Sequence, residues 1–65
     1  MTTRRTIVLP PLTHEAQRLI LSLPEYQRVT MSELLEIARE LPGGRRVYFP
    51  GRADIIAFIV GTRDL

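Results

Sequence analysis

The sequence predicts a small single-domain α+β fold, spanning residues 1–65, in the order β-α-α-β-β: a short N-terminal strand, a two-helix hairpin and a C-terminal β-hairpin. Three observations carry that expectation. Two stretches with helical apolar spacing each follow a hydroxyl residue suited to capping. Strand-forming residues gather near both ends. Prolines and glycines stand at the junctions between these segments.

Arg4 to Leu9 alternates, with Ile7 and Leu9 on one side and Arg4, Thr6 and Val8 on the other, and Pro10-Pro11 stops it. This reads as a short strand. Thr13 can then cap a helix whose buried stripe is Ala16, Leu19, Ile20 and Leu23, and Pro24 ends it because proline disfavours helical geometry in the residue before it.

Thr30-Met31-Ser32-Glu33 has the spacing of a capping box, in which hydroxyl and carboxylate satisfy each other's free backbone amides. The helix it opens runs through Leu34, Leu35, Ile37, Ala38 and Leu41 and stops at Pro42-Gly43-Gly44. Glu33, Glu36 and Glu40 fall on the side away from the leucines, so that side faces water or something basic.

Arg45 to Phe49 is rich in strand formers, and Pro50-Gly51 is a turn signal, so a hairpin with Ile55 to Val60 is expected. That last segment is apolar throughout. Periodicity does not separate a buried strand from a short buried helix at this length; its β-branched and aromatic content favours the strand, and β-α-α-β-α is the alternative order. Residues 61–65 are expected to fray.

Sixty-five residues bury a small share of their surface, and without cysteines no disulfide or thiolate metal site can add to the stability, so association into a homodimer is the expected supplement. The lack of cysteine also removes any sign of an oxidising compartment, which makes the cytoplasm the expected location. No apolar stretch approaches the roughly 20 residues of a membrane span, the longest being the six from Ile55 to Val60, and the N-terminal apolar run is too short for a secretory signal.

All nine basic residues are arginines, whose planar fork suits phosphate and carboxylate; a genome rich in arginine codons explains the same bias. Arg4 and Arg5 lie at one end and Arg45, Arg46, Arg52 and Arg63 towards the other, while the middle holds all five glutamates, so an anionic partner is expected at the ends.

Catalysis is not expected. His14 has no cysteine or second histidine to join, Ser32 is explained by the helix start, and the glutamates lack a carbonyl-rich loop of the calcium type. The glycine-bearing turns, Gly43-Gly44 and Pro50-Gly51, match neither phosphate-loop nor dinucleotide spacing. No metal, cofactor or small-molecule substrate is implied.

Two resemblances suggest what the chain binds. Arg4, Thr6 and Val8 on a strand, followed by Thr30-Met31-Ser32-Glu33-Leu34-Leu35 at a helix start, resemble a ribbon-helix-helix DNA-binding protein. That likeness implies that Arg4, Thr6 and Val8 read bases while Thr30 holds the backbone. The run Leu34 to Pro50, with Gly43-Gly44-Arg45-Arg46-Val47-Tyr48-Phe49-Pro50 at its end, resembles the dimerisation region of Mor-type phage transcription activators. That family implies a dimer in which such strands pair between subunits, with DNA read by a separate C-terminal helix-turn-helix. A chain ending at Leu65 is then expected to act as a dimerising or interfering partner. A winged helix-turn-helix, with helices 13–23 and 30–41 and an arginine-tipped hairpin, is disfavoured because Glu33, Glu36 and Glu40 would face phosphates.

Both resemblances imply a small dimeric transcription regulator of the phage or mobile-element kind. The expected contacts to double-stranded DNA are Arg4, Arg5, Thr6, Thr30, Arg45, Arg46 and Arg52, and the expected dimer interface is Leu34, Leu41, Val47, Tyr48 and Phe49. The alternative is a protein-binding module that docks on a host or phage protein without touching DNA, supported by an apolar content of 45% in so short a chain.

Overall fold

The computed structural model describes residues 6–63. Arg4 and Arg5, both expected DNA contacts, lie outside the described residues, as do Asp64 and Leu65 of the expected frayed tail. The fold is α+β. Its elements are β1 (Ile7–Val8), α1 (His14–Leu21), α2 (Met31–Glu40), β2 (Val47–Tyr48) and α3 (Arg52–Arg63), with single 3-10 turns at Pro24–Tyr26 and Gly44–Arg46.

The two helix starts form as their sequences predict. The Thr13 hydroxyl accepts a bond from the Ala16 amide at 3.1 Å, and at the head of α2 the Thr30 and Glu33 side chains each accept from the other's backbone amide, closing the capping box. At the far end of α1, the Gln27 side chain donates to the Leu21 carbonyl at 2.7 Å, supplying a partner that the last helical turn cannot find within itself.

The C-terminal hairpin does not form. Residues 52–63 are a helix, so the order is β-α-α-β-α, and the helix continues through Arg63 where fraying was expected. Backbone satisfaction accounts for this. A strand over 55–60 would need a partner of similar length, and β2 is two residues long. A helix satisfies its own amides and carbonyls and still buries Ala53, Ile55, Ile56 and Ile59 on one side.

The strands instead pair with each other, in parallel, with Ile7 opposite Val47 and Val8 opposite Tyr48. Parallel pairing needs a long crossover, which α1 and α2 provide. The expected strand at residues 4–9 thus narrows to Ile7–Val8, and the one at 45–49 narrows to Val47–Tyr48 because Gly44–Arg46 curls into a 3-10 turn.

The core sits between α2 and α3. Leu34 and Ala38 from α2 meet Ile55, Ile56 and Ile59 from α3, and half-buried residues from α1 and the loops close around them. Of the stripe expected on α1, Ala16, Ile20 and Leu23 are half-buried, whereas Leu19 is 63% exposed. Glu33, Glu36 and Glu40 are exposed, as their spacing predicts.

Candidate nucleic-acid interface

A cluster of three arginines, Arg39, Arg45 and Arg46, is built by the way α2 ends. Gly43 takes φ +80, a left-handed conformation that side chains resist. Gly44 then folds back onto α2 so closely that a Cβ there would fall on the carbonyl oxygen of Ala38. The two glycines therefore serve different needs, one a backbone angle and the other a close approach.

Arg39, in the last turn of α2, holds the returning chain. Its Nη1 donates to the Gly44 carbonyl at 2.6 Å and to the Val47 carbonyl at 3.0 Å, and its guanidinium lies over the Phe49 ring, 5.4 Å from the centroid. Phe49 is itself fixed edge-on against Phe58 of α3, with ring centroids 5.5 Å apart. The turn that carries Arg45 and Arg46 is thereby tied to both α2 and the core.

Strand alternation does the rest. Val47 points inward and is 4% exposed, while Tyr48 points outward at 59%, beside Val8 at 77% on the paired strand. Val47 and Tyr48, with the turn before them and the end of α2, line a hollow of about 480 Å³. Leu35, Val47 and Phe49, buried or half-buried, form its inner wall, and the exposed Thr6, Arg39, Arg45, Arg46 and Tyr48 form its mouth. Among the described residues three guanidinium groups line it and no carboxylate does. A second hollow, on the α2 side, brings Glu40 together with the same three arginines.

The sequence-predicted contacts separate accordingly. Thr6, Arg45 and Arg46 come together at the hollow. Thr30 is elsewhere and its hydroxyl is engaged by the Glu33 carboxylate at 3.0 Å, which also places negative charge where a phosphate would have to sit. Arg52 is not on a hairpin: its Nη2 donates to the Tyr26 carbonyl and pins the start of α3 to the 3-10 turn between α1 and α2.

Among the residues expected at a dimer interface, Leu34 and Val47 are buried within this one chain, Leu34 in the core that α2 and α3 form. Leu41 and Phe49 are half-buried against the same core, and Tyr48 alone of the five is exposed.

Sequence reasoning missed Arg39. The available signal was an arginine in the last helical turn before Pro-Gly-Gly, where a cation meets the free carbonyls of a helix end. It also missed an apolar groove of about 510 Å³ between the Leu9–Leu12 segment and the outer side of α3, where Asp54 is the one charged lining residue among those described. Among the described residues no group of three or more histidine, aspartate or glutamate side chains is placed to hold a metal ion, and no helix is long and apolar enough to cross a membrane.

No protein-family model matches the chain, and no curated protein or solved structure is significantly similar to it.

Proposed function

We propose that this protein is a small, non-enzymatic transcription regulator of the cytoplasm that binds DNA with the arginines around the β2 hollow. The observation that carries the reading is the convergence of Arg39, Arg45 and Arg46 on one cavity whose lining, among the described residues, includes no carboxylate. Guanidinium groups held this way suit phosphate oxygens, which supply most of the affinity in protein–DNA contacts. The likeness of residues 34–50 to the dimerisation region of Mor-type activators supports the same class.

Association of two copies belongs to the proposal. Since Leu34 and Val47 are taken by the core, the apolar material left for a second copy includes Leu19, Leu21 and Met31 on the helices. None of these lines the hollow.

The test is a fluorescence-anisotropy titration against a labelled DNA duplex at low and near-physiological salt, with the solution mass recorded in the same buffers. Binding that weakens steeply with salt, and whose salt slope falls by about 1 when Arg45→Ala or Arg46→Ala removes a phosphate contact, is the expected result. No binding at low salt would exclude the reading.

A second reading, a module that docks on a host or phage protein, is favoured by the apolar groove beside α3. An interface of that kind would persist at high salt and would be indifferent to Arg45 and Arg46.

A further inference from the structure

We infer that the hollow beside β2 takes an unpaired nucleotide, with its base against Tyr48 and its phosphate on Arg45 and Arg46. The inference rests on the nucleic-acid reading above and narrows it to the single strand.

Shape is the first reason. A duplex presents a convex backbone with its bases stacked inside, so it can reach the arginines at the mouth but leaves the cavity of about 480 Å³ empty. An unpaired nucleotide can turn its base inward. Chemistry is the second reason. Phosphate alone has no use for an inner wall of Leu35, Val47 and Phe49, whereas a nucleoside monophosphate carries flat base faces that stack on apolar surface at one end and an anion at the other.

Tyr48 supplies the third. Its ring is held outward by the alternation of β2, opposite Val8, and 59% of the residue is exposed, so a π-face is open to a base. Phe49 is not free to play that part, being engaged by Phe58 and by the Arg39 guanidinium. Arg39 is in turn drawn against the wall by its bonds to Gly44 and Val47, which keeps its charge at the site without filling the space.

The test compares labelled oligothymidylate, oligouridylate, an abasic strand of equal length and a DNA duplex, each titrated against the full chain and its variants. The expected result is that a base-bearing single strand binds at least about tenfold tighter than the duplex. Tyr48→Ala should remove that margin by lowering single-strand affinity, and Tyr48→Phe should keep it. Arg45→Ala and Arg46→Ala should weaken every nucleic-acid probe. The thymidylate and uridylate arms show whether the strand is DNA or RNA, and preferential binding of either supports the inference. Equal affinity for duplex, abasic and base-bearing strands, or Tyr48→Ala without effect on the single strand in a variant whose circular dichroism matches the parent, would overturn the stacking site and leave the basic mouth standing. Should Tyr48→Ala fail to fold, Tyr48→Leu keeps the bulk without the π-face and decides the same question. Absence of binding to every probe at low salt would overturn both readings.

Discussion

Arg39 and Gly44 are joined across the end of α2: the arginine's Nη1 donates to the glycine's carbonyl at 2.6 Å, while the glycine's Cα rests against the helix at Ala38. Each depends on the other, because the carbonyl reaches the guanidinium only if the chain at position 44 has no side chain.

Gly44→Ala should therefore cost about 3 kcal/mol, since the added methyl meets a helix carbonyl that has no freedom to withdraw. Gly43→Ala has open space around its Cβ and is penalised only for its positive φ, at about 1 kcal/mol. Urea unfolding followed by circular dichroism would separate the two, and equal losses would show that space at position 44 is not the constraint.

Arg39→Ala should lower stability by about 1 kcal/mol and free the turn that carries Arg45 and Arg46. Hydrogen exchange is the direct measurement: the amides of residues 44–48 should lose protection while those of α1 keep theirs. Unchanged protection in that turn would mean that the glycines alone hold it.

Thr30→Ala should reduce stability by about 1 kcal/mol through loss of the cap, and should leave nucleic-acid affinity unchanged. A drop in affinity without a drop in thermal midpoint would instead restore Thr30 to the role of backbone contact that a ribbon-helix-helix likeness implies.

Ile59→Ala, at a fully buried position of α3, should cost about 2–5 kcal/mol, a range that approaches the whole stability of so small a domain. Val8→Ala, on the exposed side of β1, should stay within about 0.5 kcal/mol of the parent. A cooperative thermal transition in the first variant equal to that in the second would place the core elsewhere than between α2 and α3.

Local chemistry made much of this protein legible from its sequence. Thr13 and the Thr30–Glu33 box start α1 and α2, and the spacing of Leu34 and Ala38 against Glu33, Glu36 and Glu40 separates the buried from the wet side of α2. The Pro-Gly-Gly stop is of the same kind, because caps and stops act over three or four residues and are written in those residues alone.

Only the tertiary structure decided the rest. Ile55 to Val60 has no period, so its state depended on what it could pack against, and α2 offered a face for a helix while β2 offered no free partner of sufficient length for a strand. The pairing of β1 with β2 joins residues 40 positions apart, Ile7 with Val47, and no local pattern states which distant strand a strand will find. The hollow is decided at the same level. Thr6, Arg39 and Arg45 come from three separate segments, and what brings them to one cavity is the burial of Leu34 and the isoleucines of α3 behind them.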